Sequence, residues 1–354
     1  MARSMPLLLL ALSSMSLALG CSDPVLGPIG DYCRGENPGY SEGSFEAVAG
    51  LCPFSNEPCA SDYESLPERA AEHAVPISEA ELWDQLEQLR DGTVSLADAV
   101  IGTDELRAEL IEAANLQFLL EQLAYGELRV TEFEDVEAGP AIQRSFVIED
   151  PFVGPFRGLA LLPEGQGPFP TLIVAHGHEE FDQEWIDRYD GWELVDRGYA
   201  LFVPTLRVND ATQVETDVTL GLLREGFTLM ALRVYETLLA ARYAAALPHV
   251  DPCRMGLVGH SGGSVASNIT ARISEGLAAF VSDLSSEYYQ EAPGDLFIDE
   301  TSPALHALHP QINDFSTLAL PSLKVGYRYE TETAPTLSEW PRIYEFLAEH
   351  LGGE

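Results

Sequence analysis

Gly259-His260-Ser261-Gly262-Gly263 follows a short apolar run from Met255 to Val258. In that setting the pattern G-x-S-x-G predicts a buried strand, a tight turn, and a helix opening at about Gly262. A serine on such a turn has its hydroxyl held clear of the sheet. The flanking glycines keep the turn from colliding with the neighbouring strand and helix. The chemistry this allows is nucleophilic attack. A serine hydroxyl then needs a base within hydrogen-bond reach, and usually an acid to orient that base.

The elements that must position this serine can be read along the chain. Leu128, Val130 and Phe133 suggest a strand, and Phe146 to Ile148 and Phe156 to Leu162 suggest two more. Thr171 to Ala175 reads as a buried strand that runs into His176-Gly177-His178. A helix around Trp192 to Arg197 leads to a strand at Tyr199 to Val203, and a long helix is expected over Leu222 to Ala246. After the serine, Leu277 to Val281 and Ser322 to Tyr327 read as strands, and Glu339 to Leu351 as the last helix. Strands alternating with helices predict an α/β domain over 126–354, with a mostly parallel central sheet flanked by helices. Two helices precede it in a helical extension over 76–125. One starts with the capping-box pair Ser78 and Glu81, and the other runs from about Asp104 to Ala124. They either pack on the main domain or cap its site.

Residues 1–20 have Arg3, an apolar stretch from Pro6 to Leu19 too short to span a bilayer, and then Gly20-Cys21. This reads as a signal peptide. Cys21 resembles the lipidated cysteine of bacterial lipoproteins, which implies an exported, cell-envelope protein held by a lipid anchor. Ordinary cleavage and secretion is the alternative. Residues 21–75 are rich in Gly, Pro, Ser, Asp and Glu and read as an acidic tether with an irregular, disulfide-pinned part. Cys33, Cys52, Cys59 and Cys253 remain once Cys21 is set aside, and they allow three pairings of two bridges. Cys253 is either bonded to the N-terminal segment or free. There are 57 acidic residues against 19 basic, a net charge of −38. Such a chain repels nucleic acid and anionic membrane surfaces, so neither is expected as a partner.

The segments FPTLIVAHGHEE, GYALFVPTLR and HVDPCRMGLVGHSGGSVA together resemble the α/β-hydrolase superfamily, closest to its dienelactone hydrolase and acetyl xylan esterase-like branch. The likeness covers roughly residues 126–330. It implies the α/β-hydrolase fold and the hydrolysis of esters or related acyl compounds, with no cofactor and no metal. It places Ser261 as the nucleophile and puts the oxyanion loop at His176-Gly177. The hole would be built from the backbone N–H of Gly262 and of Gly177 or His178, each such donor being worth about 3 kcal/mol.

The family's base is a histidine on a loop after the last strand. None of the chain's eight histidines lies between Tyr329 and Trp340, and only 25 residues follow Tyr329. The C-terminal part is short relative to the family. Three accounts follow. His309 or His306 arrives from the long excursion before Ser322, oriented by Asp283 or Glu330. Or His350 bends back from the last helix. Or the base is absent and the protein is a degenerate hydrolase with a binding or scaffold role. A paired metal site at His176-x-His178 is a further alternative, already answered by the oxyanion-loop reading. The expected function is an exported serine esterase acting on a small or carbohydrate-linked acyl ester. An S9-like peptidase of the prolyl-oligopeptidase type ranks lower, because no propeller-sized N-terminal domain is present.

Overall fold

The computed structural model describes residues 33, 39–43, 76–90, 103–133, 135–178, 180–207, 213–283, 302–325 and 339–353. Their frame is one sheet. Its strands are β1 (Ser41–Glu42), β2 (Arg129–Glu132), β3 (Val136–Ala138), β4 (Ala141–Glu149), β5 (Phe156–Pro163), β6 (Phe169–Ala175), β7 (Ala200–Pro204), β8 (Val250–His260), β9 (Ala279–Asp283) and β10 (Ser322–Val325). The order is β1-β2-β4-β5-β7-β6-β8-β9-β10, with β3 hydrogen-bonded to β4. From β7 to β10 every pairing is parallel, whereas β2, β4 and β5 form an antiparallel meander that joins β7 antiparallel. The sheet is therefore mixed. The inner parallel strands β6 and β7 and the second half of β8 are apolar runs, as expected when both faces are covered.

The helices that cover it are α1 (Glu79–Arg90), α2 (Thr103–Ala113), α3 (Gln117–Tyr125), α4 (Asp182–Arg188), α5 (Gly191–Asp196), α6 (Gln213–Arg224), α7 (Leu229–Ala246), α8 (Gly262–Ile273), α9 (Pro303–Ala307), α10 (His309–Asn313) and α11 (Trp340–Leu351). One face of the sheet packs on α2, α3, α7 and α8, and the other on α4, α5 and α11. Every residue of α7 is buried. It is enclosed all round, and its charged residues Arg233, Glu236 and Arg242 are buried with partners.

Two expected helices are each broken. The one read from Asp104 to Ala124 divides at Asn115, whose φ is +54°. The one read from Leu222 to Ala246 divides at Gly226, φ +80°. Thr228 then caps α7, its hydroxyl accepting from Ala231 N at 3.0 Å. Apolar spacing runs smoothly through both breaks, so periodicity alone could not place them. Of the capping box on α1, the Ser78 half is formed, with Glu81 N donating to Ser78 Oγ at 3.2 Å.

The N-terminal helices pack on the flank of the domain. Arg107 of α2 donates to Arg272 O at the far end of α8, at 3.3 Å, and Arg242 of α7 donates to Leu123 O of α3 at 2.7 Å. Cys33 is disulfide-bonded to Cys253, 220 residues away. Cys21, Cys52, Cys59, Glu330 and the 1–20 signal segment lie outside the described residues. No helix among the described residues is long and apolar enough to cross a membrane.

Candidate active site

Strand order makes the crevice. The chain leaves β6 toward α4 and α5 on one face, and leaves β8 into α8 on the other. Loops that diverge from adjacent parallel strands open a gap at their carboxyl ends, where ligands bind in open α/β sheets. The last pair in the β6–β8 register is Ala175 with Gly259. His176 and Gly177 therefore lie beside His260 and Ser261.

Ser261 stands between β8 and α8 with φ +49° and ψ −123°. A non-glycine residue there is strained, and the surrounding packing must hold it. The packing does so through small residues. A Cβ on Gly259 would come within 2.6 Å of the Ser264 Cα, and one on Gly263 would overlap the carbonyls of Ala175 and His176. Ser261 N donates to Asp283 O at 3.1 Å, tying the turn to the end of β9. The Gly262 N–H opens α8, where the first amides have no intrahelical acceptor. The Ser261 hydroxyl has no hydrogen bond among the described residues.

The 176–178 loop is held from both sides. His176 is fully buried; its Nδ1 donates to Gly177 O at 3.0 Å and its Nε2 accepts from Leu206 N at 2.9 Å. Those bonds specify the neutral ring, and burial pushes its pKa below the usual imidazole value. Both nitrogens serve the backbone, so His176 does not offer a metal ligand alongside His178. Gly177 abuts the elbow: a Cβ there would lie 2.9 Å from His260 Cδ2 and 3.0 Å from the Ser261 Cβ. The Gly177 amide, expected as an oxyanion donor, instead donates to Glu180 Oε2 at 2.8 Å. A carboxylate three residues on competes for it, which the loop's glycine and histidine pattern did not reveal. The His178 ring lies 3.4 Å from Glu215 Oε1, which also receives the buried Arg233 guanidinium at 2.5 Å.

Sequence reasoning missed the polar group under the elbow. His260 is buried, with Nδ1 2.7 Å from Asp283 Oδ2 and Nε2 2.9 Å from the Tyr189 hydroxyl. The Tyr189 hydroxyl donates its one proton to Glu180 Oε1 in a short contact. Asp283 was expected to orient a catalytic histidine; here one of its oxygens is taken by His260. Its Oδ1 is buried and has no partner among the described residues. No local sequence signal marked it: His260 meets Asp283 through the pairing of β8 with β9.

The structure thus brings together Ser261, Gly262, Gly177, His178 and Asp283. His306 and His309 sit on α9 and α10. The second of these short helices is anchored to α8 by Asn268, which donates to Ile312 O at 3.1 Å, and by Arg272. Asn268 is six residues beyond Gly262, about 9 Å along the helix axis. His309 Nδ1 donates to His306 O at 3.0 Å, and the two rings lie 5.1 Å apart. Neither ring bonds to Ser261. His350 is in the last turn of α11, whose terminal Leu351 O accepts from Arg254 at 3.4 Å near the start of β8, the end of the sheet opposite the elbow.

No protein-family model matches the chain, and no curated protein matches it in sequence. Among solved structures it is similar to a candidate acetyl xylan esterase from Bacteroides fragilis, at 14% identity over 71% of this chain and 76% of that one, with a TM-score of 0.54. It is also similar to acetyl xylan esterase 1 from Thermoanaerobacterium, at 13% identity over 78% and 99% of the two chains, with a TM-score of 0.45. A glucuronoyl esterase from Teredinibacter turnerae is similar at 16% identity over 73% and 76%, with a TM-score of 0.43. Of these three, the first shares its architecture at a TM-score above 0.5. Strand order, a serine on a strained turn after the central strand, and this likeness agree: the chain has the α/β-hydrolase fold, with esterase structures among its neighbours.

Proposed function

We propose that the protein is a carboxylic ester hydrolase that works by acyl transfer to Ser261. The observation that carries this is the strained φ of Ser261 beside the 176–178 loop. Such strain is retained where the surrounding packing enforces it, and it presents the hydroxyl at the crevice. In this reading Ser261 Oγ attacks the acyl carbon and an alkoxide-like oxygen forms. The Gly262 amide and the positive end of α8 stabilise it, with the His178 backbone on the other side. His309 serves as the base: it takes the Ser261 proton, gives it to the departing alcohol as the ester C–O bond breaks, and then takes a proton from the water that releases the carboxylic acid. Its Nδ1–H on the His306 carbonyl leaves Nε2 as the nitrogen that accepts a proton. The substrate is a small or carbohydrate-linked ester, the class to which acetyl xylan belongs. The protein is exported, and the Cys33–Cys253 bond supports an oxidising compartment. Lipidation at Cys21 would hold it to the cell envelope.

The test is labelling with a fluorophosphonate probe. Wild type is expected to label and Ser261→Ala not to; equal signals from both would end the proposal. His309→Ala should fold and lose turnover. A second reading, a binding protein on a decayed hydrolase fold, is favoured by one observation: among the described residues no imidazole bonds the Ser261 hydroxyl. A folded wild type that neither labels nor hydrolyses any aryl ester would support it.

A further inference from the structure

Glu180 is a buried carboxylate that the proposed reaction does not use. A carboxylate withdrawn from water is retained when hydrogen bonds replace hydration. Its Oε2 accepts the Gly177 amide at 2.8 Å, and its Oε1 accepts the Tyr189 hydroxyl. Arg188 Nη1 and His260 Nε2 lie 3.7 and 3.6 Å from Oε1. Through Tyr189 the chain of contacts reaches His260 at 2.9 Å, and from there Asp283 at 2.7 Å. Four side chains thus join the loop after β6, the end of α4, the elbow and the end of β9.

On the elbow side Gly177 leaves no room for a side chain, because a Cβ there would lie 3.0 Å from that of Ser261. On its other side the loop is held by the His176 ring, which accepts from Leu206 N at 2.9 Å, and by Glu180, which takes the Gly177 amide itself. A buried amide left without its acceptor carries the cost of desolvation, so this hydrogen bond holds the backbone in place. Releasing it would let the 176–178 backbone move relative to the serine. A 1 Å displacement at a reacting centre can cost about 100-fold in rate.

We propose that Glu180 is a positioning residue: its carboxylate clamps the Gly177 amide and so sets the oxyanion loop against Ser261. This rests on the ester-hydrolase reading. The test is p-nitrophenyl acetate kinetics and fluorophosphonate labelling rates for wild type, Glu180→Ala, Glu180→Asp and Glu180→Gln, each verified as folded by circular dichroism. Gln keeps an oxygen that can accept from Gly177, whereas Asp keeps the charge but falls one methylene short. Glu180→Ala is expected to lower kcat about 100-fold and Glu180→Asp about tenfold, with KM within about threefold of wild type. Glu180→Gln should return kcat to within about fivefold. That rescue separates the clamp from a general need for charge or stability. Should Glu180→Ala not fold, the Asp and Gln pair decides. Labelling wild type together with Ala or Asp variants of unchanged kcat, or Gln as impaired as Asp, would overturn this inference alone. A wild type that neither labels nor turns over would overturn both readings.

Discussion

At the scale of single residues, the site depends on small side chains and on one buried ring. Gly263 lies against the carbonyls of Ala175 and His176, and any side chain there must move β6 or α8. Gly263→Ala is expected to destabilise the fold by about 1–3 kcal/mol, read by urea denaturation, and to reduce labelling of Ser261. His176 titrates differently folded and unfolded. Burial holds it below the usual imidazole value, so the unfolded chain takes up a proton near pH 6.5 that the folded chain refuses. Stability from this group is therefore present above about pH 6.5 and is lost as pH falls through the window below it. His306 is pushed the same way, by burial first and then by His309. His176→Gln should flatten the fall in unfolding free energy between about pH 6.5 and 5, with the slope due to His306 remaining. An unchanged slope would show that the ring is not protected as the structure has it.

At the scale of elements, α7 carries the wall of the crevice through two buried ion pairs. Arg207, just beyond β7, meets Glu236 at 2.5 Å, and Arg233 meets Glu215 of α6 at 2.5 Å. Burial raises the Glu236 pKa, while the Arg207 guanidinium pulls it back. Removing one member of such a pair strands a charge and costs about 3–5 kcal/mol. Glu236→Ala is expected to show that loss in denaturant melts, well beyond the cost of about 1 kcal/mol for removing the α7 cap with Thr228→Ala. Equal costs would mean that the pair is not desolvated in solution.

At the scale of the whole molecule, the Cys33–Cys253 bond closes a segment of 220 residues. Cross-links over such long loops stabilise chiefly by restricting the unfolded chain, by about 5 kcal/mol in the entropic account. Cys253→Ser, or a reducing agent, should lower the melting temperature while leaving the site formed, since the bond lies at the opposite end of β8 from Ser261. A net charge of −38 also acts on the molecule as a whole. Self-repulsion weakens as the Debye length falls from about 30 Å at 0.01 M salt to about 8 Å at 0.15 M. The melting temperature should therefore rise over that range.

The elbow, the strands on either side of it and the α/β class were legible in the sequence, because apolar period and the glycine–serine pattern are local properties of consecutive residues. The antiparallel half of the sheet was not, since pairing direction depends on which strands become neighbours. The breaks at Asn115 and Gly226 were hidden by apolar spacing that continues across them. The Glu180–Tyr189–His260–Asp283 group joins residues up to 103 positions apart. Only the crossing of β6, β8 and β9 brings them within hydrogen-bond distance, and only burial makes those bonds obligatory.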